Sequence, residues 1–209
     1  QNMRGDVNIF ISAFSIDEWG WEDKNDTAVI THGIDTNLFC SADIEKDDDI
    51  LSVVNDWINR DWCCGFSIWQ RVIEGLPHKA IGDTPGLSQP AASTEELVAA
   101  YQNSKIFLNT STISPVPTAL MEAMSCGCAV VSTDTCMIPE VIEHGVNGFI
   151  TNDENEMKQH LVDLLNDEAM CKEIGDNARK TIVENYSMDR FVSNWDKALR
   201  LAADIPFRG

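Results

Sequence analysis

The residues most suggestive of chemistry lie between Lys105 and Ile150, where an apolar strand, a polar loop and a proline-opened helix follow one another. A second apolar strand comes next, and one carboxylate, Glu122, falls within the helix. Strand–helix–strand units place loops and helix N-termini at the carboxyl edge of a parallel sheet, where open α/β folds bind ligands. A helix N-terminus favours an anion, and a nearby carboxylate accepts hydrogen bonds from sugar hydroxyls. This combination favours a nucleotide sugar as the ligand.

Glu122 is the leading candidate because of its position on the helical surface. In a helix that starts near Pro117, one face contains Thr118, Glu122, and Ser125 or Cys126. We expect that face to line a cleft. The apolar residues of the helix point elsewhere, towards the sheet: Leu120, Met121 and Met124. The alternative is an ordinary exposed carboxylate on a surface helix.

The first turn of the same helix offers a site for an anion. Pro117 suits this turn, because its missing N–H would have no intrahelical partner there. The backbone N–H groups of Thr118 and Ala119 lack intrahelical acceptors and can bind a phosphate. The alternative is a helix end capped by Ser114 or by water.

Arg60 is the candidate clamp for a diphosphate, since a guanidinium makes bidentate hydrogen bonds to phosphate oxygens. Asp56 and Asp61 are close in sequence, so a surface ion pair is the alternative. Gly33 is expected to let the backbone approach the ligand or turn sharply.

The alternation of strand and helix patterns predicts an α/β fold with a Rossmann-like, doubly wound parallel sheet. The predicted strands are Val7–Ile11, Thr27–Thr31, Ile50–Val54, Lys79–Gly82, Lys105–Leu108 and Cys128–Ser132. The predicted helices are Trp62–Ile73, one starting at Ser93, one from Pro117 that ends at Gly127, one around Met157–Leu165, then Asp167–Tyr186 and Met188–Ala203. The acidic stretch Ser41–Asp49 is interpreted as a solvated loop.

The domain division is placed near residue 30. Residues 1–30 are interpreted as the remnant of an N-terminal domain with its linker, and residues 31–209 as a C-terminal ligand-binding domain. The chain starts at Gln1 and not at Met, so we expect it to be a fragment.

A series of short motifs follows the order found in one enzyme family. The motifs are His32-Gly33-Ile34-Asp35 with Phe39, Ser114-Pro115-Val116-Pro117, Leu120-Met121-Glu122-Ala123-Met124-Ser125-Cys126-Gly127, Val130-Val131, Ile138-Pro139-Glu140-Val141-Ile142 and Gly145-Val146-Asn147-Gly148-Phe149. Together they resemble the donor-binding, C-terminal half of retaining GT-B glycosyltransferases, the group that includes glycogen-synthase-like and sucrose-synthase-like enzymes. The resemblance covers about residues 30–201, most of the chain.

This resemblance implies transfer of a hexose, with retention, from a nucleotide-diphosphate sugar. It implies that Glu122 binds the ribose hydroxyls, that Thr118 and Ala119 receive the diphosphate, and that Ser114 contacts the donor sugar. A loop wall beside the sugar would be formed by Pro115, Val116 and Pro117. The resemblance does not name the acceptor. It implies that the acceptor site and the usual catalytic histidine lie in an N-terminal GT-B domain that is essentially absent here. On this basis the isolated chain is expected to be inactive.

Two positions depart from the family pattern. Ser114 stands where the family has the first of two glutamates, and Cys64 stands where a lysine would precede Gly65. A hydroxyl cannot stabilise oxocarbenium charge as a carboxylate can. A catalytically decayed module that binds nucleotide sugars or carbohydrates is therefore the alternative function, and a GT-B-shaped epimerase is a weaker one.

The amino-acid composition excludes several classes of binding partner. The formal net charge of −19 over 209 residues argues against a nucleic-acid backbone, which needs a basic face. No apolar run approaches the roughly 20 residues of a membrane span, and we expect a cytoplasmic location. The seven cysteines are expected to be mostly buried, reduced thiols, with no metal site and no cofactor beyond the donor itself. Packing, either in the core or between domains, is the expected role of Trp57, Trp62 and Trp69, and a platform for a sugar is the alternative.

Overall fold

A computed structural model describes residues 7–21, 27–114 and 117–203 of the chain. Among the helices of these segments, none is long and apolar enough to cross a membrane. Pro115 and Val116, which we predicted to form part of a loop wall, lie outside the described residues.

The main body is a five-stranded parallel sheet in which the strands follow the order β4-β3-β5-β6-β7. Its central strands are buried on both faces, as expected of a parallel sheet covered by helices. The strands are β3 (Asp47–Val53), β4 (His78–Ile81), β5 (Ser104–Asn109), β6 (Ala129–Ser132) and β7 (Phe149–Ile150).

Two hydrophobic clusters show that the sheet is doubly wound. Along β5, Ile106 and Leu108 belong to one cluster, whereas Phe107 between them belongs to the other. The Ile106 cluster includes helices α2 (Asp61–Cys64), α3 (Phe66–Ile73) and α7 (Glu154–Asn166). The Phe107 cluster includes α4 (Thr94–Asn103), α5 (Thr118–Ser125) and α6 (Ile138–Val141). The predicted α/β, Rossmann-like fold is confirmed.

The last long helices are α8 (Glu168–Asn185) and α9 (Met188–Ala203), each within one residue of its predicted bounds. Asp153 and Asp167 cap α7 and α8 by accepting hydrogen bonds from backbone N–H groups of the first turn. Ser93, where a helix was predicted to start, caps α4 by accepting a hydrogen bond from the N–H of Glu96.

The predicted helix Trp62–Ile73 is wrong in one respect, because Gly65 divides it. Gly65 has a left-handed backbone, with φ of 64°, which ends α2 and starts α3 at a different angle. The acidic loop Ser41–Asp49 also ends earlier than predicted. Its last three residues are the start of β3, where pairing with β5 at Asp47 extends the strand.

A separate two-stranded parallel sheet precedes the main one. It consists of β1 (Asn8–Phe10) and β2 (Thr27–Val29), with α1 (Ala13–Glu18) following the first strand. The carboxylate of Glu140 accepts hydrogen bonds from the backbone N–H groups of Ala13 and Phe14, at 3.1 and 2.7 Å. This contact ties the first turn of α1 to the main body. The assignment of these strands to the remnant of an N-terminal domain stays a prediction.

The seven cysteines are free, and all of them except Cys40 and Cys136 are buried. Burial raises the pKa of Cys126 to about 12 and that of Cys128 to about 11. Both thiols therefore stay protonated at neutral pH and pack as small apolar side chains.

The surroundings of His160 on α7 predict that stability depends on pH. Its ring stacks on Phe149 with the centroids 4.3 Å apart, and its buried Nε2 has no hydrogen-bond partner among residues the structure covers. Burial, followed by the nearby His144, lowers the pKa of His160, although Glu156, 3.9 Å away, acts in the opposite direction. The folded protein binds the proton less readily than the unfolded chain, so stability is full above the ordinary histidine pKa and decreases as the pH falls below it.

We therefore expect the free energy of unfolding in urea to decrease between about pH 7.5 and about pH 5.5, a window above the ordinary carboxylate pKa values. The variant His160→Gln should show a smaller decrease over the same interval, since it removes the titrating group. An equal decrease in both proteins would show that other groups cause the pH dependence.

Candidate functional site

The candidate site lies at the point where the strand order reverses. From β3 the chain moves outward to β4, whereas from β5 it moves the opposite way to β6. The connections after β3 and β5 therefore diverge to α2 and α3 on one face and to α5 on the other. Such a switch point leaves a crevice at the carboxyl ends of the two strands. Arg60 belongs to the first connection, and Ser114 and Pro117 belong to the second.

The two connections are joined by a close backbone contact at Gly65. A Cβ atom at this position would lie 1.9 Å from the carbonyl oxygen of Thr110, so only glycine fits. The hydroxyl of Thr110 donates to the Gly65 carbonyl at 2.9 Å, and the Thr112 N–H donates to the Cys63 carbonyl at 2.9 Å. The loops on the two sides of the crevice thus hold each other in place.

A buried polar network supports the β5–α5 loop from below. The side-chain Nδ2 of Asn109 donates to the Ser132 hydroxyl at 2.8 Å, and the Ser111 hydroxyl donates to the side-chain Oδ1 of Asn109 at 2.9 Å. Thr133 and Thr135 both donate to the backbone carbonyl of Ser111. These bonds satisfy polar groups that are shielded from water, and they orient the loop that leads to Ser114.

The first turn of α5 is open to a ligand. Pro117 is its N-cap residue and makes no side-chain capping bond. The N–H groups of Thr118 and Ala119 donate no hydrogen bond within the described part of the chain. Capping by Ser114, a half-buried loop residue, does not occur among these contacts. The unpaired N–H groups and the helix dipole can stabilise a phosphate here.

Glu122 lies one turn further along α5 and is half-buried. Its Oε2 accepts a hydrogen bond of 3.0 Å from the hydroxyl of Tyr101 on α4. Burial raises the pKa of Glu122, and this hydrogen bond partly opposes the shift. A carboxylate held on one side by a tyrosine keeps its remaining lone pairs for hydroxyl donors. The alternative of a freely exposed carboxylate is therefore excluded.

The predicted face of α5 is only partly correct. Ser125 and Cys126 are fully buried and do not line a cleft. Ser125 donates to the backbone carbonyl of Phe39 at 2.5 Å, and Arg179 also reaches the Ser125 carbonyl. The segment around Phe39 and helix α8 cover this end of the helix, so only Thr118 and Glu122 remain available on that face.

Arg60 carries a guanidinium without a carboxylate partner in the described segments. Its Nη1 donates a long hydrogen bond of 3.5 Å to the backbone carbonyl of Asn55. Ser67 occupies both oxygens of Asp61 and lowers the pKa of that carboxyl, while Asn59 donates to Asp56 at 2.6 Å. The surface ion pair considered from the sequence is therefore absent from these residues.

Cys64 does not face the crevice. Only 7% of this residue is exposed, and its sulfur lies 3.6 Å from that of Cys63. The backbone carbonyl of Cys64 accepts a hydrogen bond of 2.8 Å from the indole of Trp57. The position at which the family pattern has a lysine thus contributes a buried thiol, and Arg60 is the cation that this connection offers.

Gly33 packs against α9. A Cβ atom at this position would lie 2.6 Å from the Cβ of Phe191 and 3.1 Å from the Cα of Met188. Backbone hydrogen bonds join the neighbouring Ile34 to Tyr186 and Met188. Close packing therefore requires glycine here, and the predicted ligand contact of Gly33 stays a prediction.

Tyr101 is the site residue that the sequence reasoning missed. It follows Val98 by three residues on the buried face of α4, and it packs against Phe39 and Phe107. A tyrosine within an apolar stripe of a helix needs a hydrogen-bond partner for its hydroxyl, and this feature of the sequence could have indicated Tyr101. That the partner is Glu122 depends on the contact between α4 and α5, which no local pattern encodes.

The comparisons agree with this geometry. Residues 89–181, which contain the β5–α5 loop and all of α5, match the family described as Glycosyl transferases group 1. These residues are therefore similar to a glycosyl transferases group 1 domain. The predicted resemblance to glycosyltransferases is confirmed at the level of this family. A curated relative of this domain, N-acetyl-alpha-D-glucosaminyl L-malate synthase of Bacillus anthracis, is 33% identical over 79 residues, which are 37% of this chain and 21% of the relative.

Solved glycosyltransferase structures share the fold of this chain. Sucrose-phosphate synthase from Thermosynechococcus elongatus superposes with a TM-score of 0.81 at 16% identity, over 95% of this chain and 59% of that one. HepE from Anabaena, solved in complex with UDP, superposes with a TM-score of 0.75 at 20% identity, over 97% of this chain and 65% of that one. The predicted GT-B half-fold is thereby confirmed. The chain spans about a fifth of the curated relative and less than two thirds of these structures.

Proposed function

We propose that residues 31–209 are the donor-binding domain of a glycosyltransferase that uses a nucleotide-diphosphate sugar to transfer a hexose with retention. One observation carries the proposal: Glu122, the open first turn of α5 and Arg60, which has no carboxylate partner among the described residues, follow the two strands that meet at one switch point. The UDP in the HepE structure supports a uridine nucleotide as the first ligand to test.

Each group has a role that its chemistry allows. Glu122, oriented by Tyr101, accepts hydrogen bonds from the ribose hydroxyls. The N–H groups of Thr118 and Ala119 and the guanidinium of Arg60 bind the diphosphate. The sugar lies beside the end of the β5–α5 loop, which consists of Ser114, Pro115, Val116 and Pro117.

The same groups favour departure of the diphosphate. Negative charge increases on the leaving phosphate as the glycosidic bond breaks, and donors already aimed at that charge stabilise the transition state more than the ground state. No covalent step on this domain is required. The acceptor would bind to a partner domain, to which we assign residues 1–30, so these 209 residues alone should transfer little sugar.

A non-catalytic binding module is the second candidate. The burial of Cys64 favours it, because that position supplies no charge to the diphosphate. Ser114 favours it as well, since a hydroxyl stabilises an oxocarbenium ion poorly. Product formation by a longer protein that includes the partner domain, compared with this chain alone, separates the two candidates.

The proposal is tested by calorimetric titration of the chain with UDP, GDP and ADP, followed by their sugars. We expect one nucleoside diphosphate to bind, and we expect EDTA to leave its affinity unchanged. Arg60 and the first turn of α5 supply positive potential. Asp47, Asp48 and Asp49 lie at the start of β3, the edge opposite the site. If none of the three nucleotides binds, the donor-domain proposal is wrong. If EDTA abolishes the affinity and magnesium restores it, the expectation that binding needs no metal is wrong.

A further inference from the structure

Trp62 is exposed, so packing in the core, one of the roles predicted for it, is excluded. Its relative exposure is 71%, whereas Trp57 and Trp69, in the same segment, are exposed by only 1% and 3%. Those two pack against each other with ring centroids 4.7 Å apart. The single turn of α2 therefore directs one indole outward while the residues that follow it, Cys63 and Cys64, point into the core.

The exposed indole has a rigid attachment. Its own carbonyl accepts a hydrogen bond of 3.1 Å from the hydroxyl of Thr112, and the next carbonyl, that of Cys63, accepts one from the N–H of Ile113 at 3.2 Å. The Gly65–Thr110 contact holds the same turn from its other end. The loops that form the crevice thus determine the position of Trp62.

Ile113 lies on the adjoining loop and is 58% exposed. It immediately precedes Ser114, the proposed sugar contact, while Trp62 follows the proposed phosphate clamp Arg60 by two residues. The ribose contact, Glu122, lies on α5 beyond the phosphate position. By this order along the two connections, the exposed side chains of Trp62 and Ile113 belong to the sugar end of the proposed donor site.

We propose that Trp62, with Ile113 beside it, covers the C–H face of the donor's hexopyranose ring and so contributes to selection of the sugar. This inference rests on the proposed function. One face of a pyranose presents mainly C–H groups, whose positive edge suits the negative face of an indole, and covering both removes apolar area from water. Arg60 and α5 provide affinity for any nucleoside diphosphate, and Trp62 adds affinity for the sugar attached to it.

The test measures the affinity of a nucleotide sugar relative to its parent diphosphate, with the pairs UDP-glucose and UDP, GDP-mannose and GDP, and ADP-glucose and ADP. For the pair that the wild-type chain binds, we expect Trp62→Ala to lower affinity for the nucleotide sugar about tenfold, from the loss of some tens of Å² of apolar contact. Affinity for the parent diphosphate should stay the same. Trp62→Phe should recover most of the loss, because it retains an aromatic face.

Ile58→Ala is the matched control, since Ile58 is 46% exposed on the same connection but precedes Arg60. It should change neither affinity. The inference is overturned if Trp62→Ala leaves both the affinity for the nucleotide sugar and the affinity for the parent diphosphate unchanged. It is also overturned if both affinities fall equally, which would indicate a structural role for Trp62. Absence of any diphosphate binding in the wild type would instead defeat the proposed function, and this inference with it.

Discussion

Replacing Gly65 with alanine should lower the free energy of unfolding by at least about 3 kcal/mol. Two independent costs add at this position. The backbone φ of 64° is in the left-handed region, which disfavours any residue with a Cβ atom. The new Cβ would also lie 1.9 Å from the carbonyl oxygen of Thr110, and this oxygen belongs to a backbone that cannot rotate away. Urea denaturation followed by circular dichroism measures the loss.

Gly75→Ala is the control that separates the two costs. Gly75 also has a positive φ, of 80°, but a Cβ atom added there would have no other atom within 4 Å. We expect a loss of only about 1 kcal/mol in this variant, from backbone strain alone. Similar losses in the two variants would show that the β3–α2 and β5–α5 connections are not in close contact. A folded Gly65→Ala variant should also bind nucleoside diphosphate more weakly, since these connections form the crevice.

Replacing Glu122 with alanine should weaken binding of the nucleoside diphosphate by roughly 1–3 kcal/mol, about 5-fold to 150-fold in affinity. The proposed ribose hydroxyls would lose a charged acceptor, and such hydrogen bonds are stronger than neutral ones. Calorimetry on a folded variant gives the value directly. Unchanged affinity would remove Glu122 from the site.

Two further variants distinguish a binding role from a packing role. Glu122→Gln keeps an oxygen that can accept from the Tyr101 hydroxyl, so it should preserve stability while still reducing affinity. Glu184→Ala removes an exposed carboxylate from α8 and should alter neither quantity. If Glu122→Gln lost stability without losing affinity, the Tyr101–Glu122 bond would be a structural contact only.

The alternation of strands and helices was predictable because it depends on local patterns. Ile106, Phe107 and Leu108 form an unbroken apolar run, typical of a strand that is covered on both faces. Ser93 before two glutamates and Gly127 after a helical run mark helix ends through their own backbone and side-chain chemistry. The division of the helix at Gly65 was missed, since a glycine in an amphipathic run is compatible with either outcome.

The candidate site was predictable to the extent that it is contiguous in sequence. Pro117, Thr118, Ala119 and Glu122 lie within one short segment, so their chemistry can be considered together before any fold is known. Arg60 was assigned from the chemistry of its guanidinium, and only the structure shows that Ser67 and Asn59 occupy the neighbouring carboxylates. Orientation was not predictable for Trp62 and Cys64, because a single helical turn can present either residue to solvent.

The sequence by itself therefore determined the α/β class, most of the strands and helices in their order, and the segment that contains Glu122, because each depends on neighbours within a few residues. Tertiary structure alone decided that Tyr101 orients Glu122, that Gly65 packs on Thr110, that Gly33 packs on Phe191, and that Trp62 faces outward. These contacts join residues on different elements, and their geometry depends on how the helices and loops pack around the sheet.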